Sequence, residues 1–139
     1  MKAAALLAGA LLLAAGCTQD PREAERDCQH RLNEAFAHLP PVGGRDIAGA
    51  FGDLRQRLVA FEIEGCSERQ RHNVETFARL SAQIAQAASR MGATPTSLPQ
   101  NPTMRERQAM LEFAALIEQF DRRRGALAAE SARIERQAR

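Results

Sequence analysis

Tryptophan and tyrosine are missing from this chain of 139 residues, and lysine occurs once, at Lys2. β-Branched residues are few, and no stretch alternates apolar and polar residues. With the large β-forming aromatics also gone, a sheet has little to be built from. Past Lys2 no lysine amine is present, so no side-chain Schiff base can form. A Gly-rich phosphate loop, a His-Glu-x-x-His pair and a Cys-x-x-Cys pair are all absent. The formal net charge is only +2, which gives no electrostatic case for binding nucleic acid. No apolar run reaches the ~20 residues that a helix needs to cross a bilayer.

What is present begins at the N-terminus. Met1 and Lys2 precede an apolar run from Ala3 to Ala15, and Ala14, Ala15 and Gly16 lead directly into Cys17. A run of this length suits the apolar core of a signal peptide. The residues "LLLAAGC" resemble the lipobox of bacterial lipoproteins, with Ala14 standing where Leu is commonest. The resemblance covers residues 1–17. It implies that 1–16 are removed, that Cys17 carries a diacylglycerol and an N-acyl chain, and that 17–20 form a short tether to a domain at 21–139. Each buried CH₂ contributes roughly 0.8 kcal/mol, so three chains imply stable membrane attachment. Thr18 follows the Cys where enterobacterial lipoproteins held at the inner membrane have Asp. The resemblance therefore implies the outer membrane, on its periplasmic face. The lack of lysine beyond residue 2 excludes the ε-amine linkage to peptidoglycan that the major coiled-coil murein lipoprotein uses.

With Cys17 lipidated, Cys28 and Cys66 remain as an even pair in an oxidising compartment, and a disulfide is the expectation. Residues 17–139 then hold 18 Arg against 17 acidic residues, and their length suits one domain with a modest core.

Hydrophobic spacing predicts an all-α, roughly antiparallel bundle of about four helices. Asp20-Pro21-Arg22-Glu23 opens the first, whose apolar stripe includes Cys28, Leu32, Phe36 and Leu39; "PPVGG" (Pro40–Gly44) ends it. Ile47, Phe51, Leu54, Leu58 and Phe61 mark the second, closing at Gly65 and Cys66. A straight helix from Asp46 would place Cys66 about 13 Å out of level with Cys28, at 1.5 Å per residue. A break around Gly49–Gly52 is therefore predicted. Ser67 to Gln70 caps the third helix, whose face runs from Val74 to Met91. After the loop "GATPTSLPQNP", the fourth opens at Asn101-Pro102 or at the box Thr103–Glu106. Its seam is Met110, Phe113, Ile117, Phe120, Arg124, Leu127, Ser131 and Ile134. Two readings of its end are possible: a bundle helix throughout, or a protruding tip whose Leu127 and Ile134 meet a partner helix. Arg124 and Ser131 interrupt the seam and favour the first.

Candidate chemistry is sparse. His30, Glu34 and His38 share one side of the first helix and are the nearest approach to a Zn²⁺ or Cu²⁺ site. An i, i+8 span of about 12 Å is too long for both imidazoles to grip one ion easily, so the pattern reads as ordinary helix surface. Arg122-Arg123-Arg124 reads as a solvated face balanced by Glu118, Asp121 and Glu130. Ser67 is a helix cap, and Ser81, Ser89, Ser97 and Ser131 have no His nearby in sequence. The six Phe fall on apolar stripes and read as core. The expectation is a non-enzymatic lipoprotein, without cofactor, that meets an envelope protein. Pilotins, small helical lipoproteins that escort secretins, offer an analogy of size and anchoring, with no shared motif. An immunity or exclusion lipoprotein is the first alternative, and a small-ligand or metal-binding bundle the second.

Overall fold

A computed structural model describes residues 19–37, 39, 46–91 and 100–139. The signal-like run, Cys17, His38, "PPVGG" and most of the loop after Gly92 lie outside the described residues. Four helices follow in order: α1 (Pro21–Ala37), α2 (Ile47–Val59), α3 (Glu68–Arg90) and α4 (Met104–Gln137). The described residues contain no strand, and none of their helices is long and apolar enough to cross a membrane.

The helix starts follow local chemistry. Asp20 accepts from the Arg22 amide at 3.0 Å and so caps α1, with Pro21 as the first helical residue. Ser67 and Thr103 form full capping boxes with Gln70 and Glu106, so α4 starts from the box and not from Asn101-Pro102. Asp46 caps α2 from a left-handed conformation (φ 72°), its carboxylate accepting from the Gly49 amide at 2.8 Å. That carboxylate occupies the space a Cβ on Gly49 would need.

Long-range pairs set the helix directions. Arg69 meets Glu130 and Arg90 meets Glu112, so α3 and α4 run antiparallel. Glu25 meets Arg133, and Phe36 lies 6.1 Å from Phe120 (ring centroids), so α1 also runs against α4. Ile47 and Ala48 pack near Ala88 and Met91, which puts the start of α2 beside the end of α3. Each helix supplies one phenylalanine to a central cluster. Phe36, Phe51, Phe77 and Phe120 meet with centroid separations between 4.8 and 6.1 Å, three of the four contacts being edge-on. Leu32, Leu54, Leu58, Leu80 and Ile84 close the core around them.

The second helix differs from expectation at both ends. No break occurs at Gly49–Gly52; α2 passes through both glycines. It stops instead at Val59, well before Gly65. The level mismatch that called for a break is thus absorbed at the far end, where residues 60–67 leave the helix. Continued as helix, 60–66 would carry Cys66 about 10 Å onward, at 1.5 Å per residue. As a turned segment with Gly65 at φ +77°, they bring the Cys66 Cα to 5.3 Å from that of Cys28. The expected disulfide is formed.

α4 does not protrude. Leu127 and Ile134 are buried, only 6% and 4% exposed, so neither is free to meet a partner helix. The interruptions in the seam mark where α1 lies: the Arg124 guanidinium sits 5.5 Å over the Phe36 ring, and Ser131 accepts from Asn33. α1 reaches only the level of Phe120. Toward the start of α4, Met110, Phe113, Leu116 and Ile117 are half-buried.

The glycines give a direct test. A Cβ on Gly52 or Gly125 would meet nothing within 4 Å. Gly52→Ala and Gly125→Ala should each raise stability by up to ~1 kcal/mol, the ordinary helical penalty of glycine. Gly49→Ala should lower it by roughly 1 kcal/mol by displacing the Asp46 cap. Urea unfolding midpoints of the three variants check the signs.

Candidate functional site

The densest set of specific contacts lies where α1, the 60–67 segment, the start of α3 and the end of α4 converge. Ala24, Cys28 and Arg31 fall at i, i+4 and i+7, so one face of α1 presents all three to the segment. Gly65 sits beside Ala24 at φ +77°, the left-handed conformation that favours glycine, although a Cβ there would find room. Cys28 bonds to Cys66. Arg31 donates to the carbonyls of both Glu62 and Glu64 at 3.0 Å, and its guanidinium lies 5.5 Å from the Phe61 ring centroid. The guanidinium fork engages two carbonyls that a continued helix would have used internally.

Behind this clamp a chain of amides runs from buried glutamines out to the exposed Asn33. The Ser67 amide donates to Gln70 Oε1, Gln70 Nε2 to Gln29 Oε1, Gln29 Nε2 to Asn33 Oδ1, and Asn33 Nδ2 to Ser131 Oγ. Gln70 Nε2 also donates to the Glu25 carbonyl at 2.8 Å. Gln70 and Gln29 are 0% and 2% exposed, so these bonds compensate a desolvation that would otherwise be costly. The chain links α3, α1 and α4 in one direction, so each bond polarises the next.

Beside it, Glu130 accepts twice from Arg133 and once from Arg69, and Arg133 also reaches Glu25. The Arg133 hydrogen bonds hold the Glu130 carboxyl below the ordinary glutamate value of 4.5, against the opposing effect of burial. His30 Nε2 lies 3.1 Å from Glu135, a further tie between α1 and α4.

On the outer side, a surface concavity is lined by Gln19, Ala24, Asp27, His30, Arg31, Glu64 and Gly65. Most of its polar side chains are already engaged. Gln19 donates to Asp27 at 2.9 Å, His30 faces Glu135, and Arg31 holds the two carbonyls.

Of the residues singled out in sequence, Cys28 and Cys66 are joined. His30 is paired with Glu135, Glu34 is exposed, and His38 and Cys17 lie outside the described residues. The described residues contain no group of three or more His, Cys, Asp or Glu able to hold a metal. Leu127 and Ile134 are core. Arg122 pairs weakly with Glu118 at 3.8 Å, separately from Arg124 on Phe36. Phe61 and Phe113 are half-buried, and the other four Phe are buried. Ser81 is fully buried, and its hydroxyl is the only buried side-chain polar atom without a partner among the described residues. Arg31, Gln29 and Asn33 carry no motif in the sequence, and Gln70 stands out there only as a helix cap. The spacing carried a sign of two of them: Glu25-Gln29-Leu32-Phe36 and Gln70-Val74-Phe77 repeat at 4-3 intervals, which puts both glutamines on core-facing stripes.

The chain matches no family model, no curated protein and no solved structure.

Two outcomes test the junction. Replacing Cys28 and Cys66 by Ser should cost about 4 kcal/mol, the chain-entropy value for a loop of 38 residues. Hydrogen exchange should then speed most in α1. For Glu130, a lowered folded pKa means its contribution is complete above 4.5 and lost as pH falls through the folded value. The stability gap between wild type and Glu130→Gln should be constant near neutrality and shrink below pH 4.5, read from urea midpoints across that range.

Proposed function

We propose that this chain is a lipid-anchored lipoprotein of the bacterial envelope that acts as an accessory or adaptor through protein–protein contact. In this reading residues 1–16 are removed, Cys17 is acylated, and the protein faces the periplasm from the outer membrane. The observation that carries it is the closeness of fold and anchor. α1 opens at Pro21, and Gln19 is already fixed to Asp27, so only Thr18 separates the ordered chain from Cys17. Two residue steps span at most ~7 Å. A protein built this way keeps its folded surface at the bilayer, where an envelope partner would be met.

The concavity containing His30 and acidic residues is the feature that speaks for the small-ligand alternative. Gln19 and Asp27 bond to each other, His30 faces Glu135 and Arg31 holds two backbone carbonyls, so a polar ligand would compete with these contacts. That favours the adaptor.

Palmitate labelling followed by chemical crosslinking and recovery from membranes tests the proposal. The expected result is label in the wild type, none in Cys17→Ala, release of that variant from the membrane fraction, and one stoichiometric envelope protein recovered with the acylated form. Absence of label would overturn the anchor. Label without any recovered partner would overturn the adaptor role.

A further inference from the structure

We infer that the segment Val59–Ile63 is a membrane-contacting edge, which seats the bundle on the bilayer along the side of α1. The inference rests on acylation of Cys17. Val59 is 68% exposed and Ile63 50%, two of the four large apolar residues left open to solvent among the described residues. They sit at the end of α2 and in the turn beyond it, beside Phe61. The position of the undescribed chain selects their occupant. Residues 1–18 join the fold at Gln19, which turns back along α1 onto Asp27 and shares one concavity with Glu64 and Gly65. The acyl chains therefore enter the bilayer on the face that carries this turn.

The turn is also held stiffly. Arg31 grips the carbonyls on either side of Ile63, and the disulfide fixes the chain just beyond. A fixed apolar side chain enters a headgroup region with little ordering cost. One Ile and one Val are too little apolar area to bind a membrane alone, but the anchor makes the contact intramolecular, so they set orientation instead of affinity. Glu62 and Glu64 flank Ile63, and the exposed Glu62 carboxylate lies 3.7 Å from the Arg31 guanidinium. With these polar groups beside it, the edge should sit shallowly, at headgroup level.

The absence of native Trp makes the test direct. Ile63→Trp, Val59→Trp and Gln83→Trp each introduce a sole indole; Gln83 is exposed on α3, about 20 Å along the helix from the end that adjoins the turn. The acylated full protein is reconstituted in protein-free phosphatidylethanolamine–phosphatidylcholine vesicles, with circular dichroism confirming the fold. The expected result is several-fold stronger quenching by brominated acyl chains at positions 63 and 59 than at 83, with aqueous iodide reversed in order. Equal iodide quenching at all three positions in vesicle-bound protein would overturn the inference while leaving the anchor intact. Burial of the indole in the Ile63→Trp variant only after addition of membrane proteins would overturn it in favour of a protein surface. Failure to sediment with vesicles, together with absence of palmitate label, would remove the anchor reading instead.

Discussion

The bond between Cys28 and Cys66 is the constraint on which the rest of the arrangement depends. α3 packs closely on both α2 and α4, whereas α1 touches each of the other helices far less. Apolar burial alone would hold α1 through Leu32 and Phe36 and little else. The disulfide removes the freedom of that helix to drift, and the Arg31 clamp and the amide chain then have fixed partners to meet. These polar contacts are strong only because their groups are pre-placed; separated by a few ångströms they would each return to water.

The bundle is accordingly built in two styles. Around the phenylalanine cluster and toward the start of α4, shape and apolar contact dominate, and past the level of Phe120 α1 no longer covers α4. At the end where α1 begins, polar groups interlock: glutamines in the core, a carboxylate between two arginines, and a non-helical turn pinned by its carbonyls. Apolar packing tolerates substitutions that conserve volume, while a satisfied polar network demands particular atoms at particular distances. The end nearest the chain's N-terminus is thus the more exactingly specified one.

Much of this is legible in the sequence. The all-α class, four helices and the caps at Asp20 and Ser67 follow from spacing and cap chemistry, because those signals are local, and the disulfide follows from the two cysteines left once Cys17 is set apart. The course of α2 is not. A straight helix could not join Cys28 to Cys66, as the levels require, but the glycines, where backbone freedom is greatest, are not where the chain adjusts. The adjustment falls at Val59–Ser67 because Arg31, remote in sequence, supplies donors for the carbonyls that leave the helix. The fate of Leu127 and Ile134 turns on a similar non-local fact, the path of α1 beside α4. Arg124 and Ser131 look like flaws in a seam, and are contacts with a helix about 90–100 residues away in sequence.

The position of the covalent joint also decides how the molecule responds to load. Tension applied at the N-terminus can peel Gln19 from Asp27 and unwind the first turns of α1, but unravelling stops at Cys28. From there the pull passes through sulfur to Cys66 between α2 and α3, and the loop of chain between the two cysteines, with Phe36 and Phe51, is left unloaded. Domain and N-terminus can be drawn apart by about nine residues of slack, and the fold behind Cys28 bears strain only after that slack is gone.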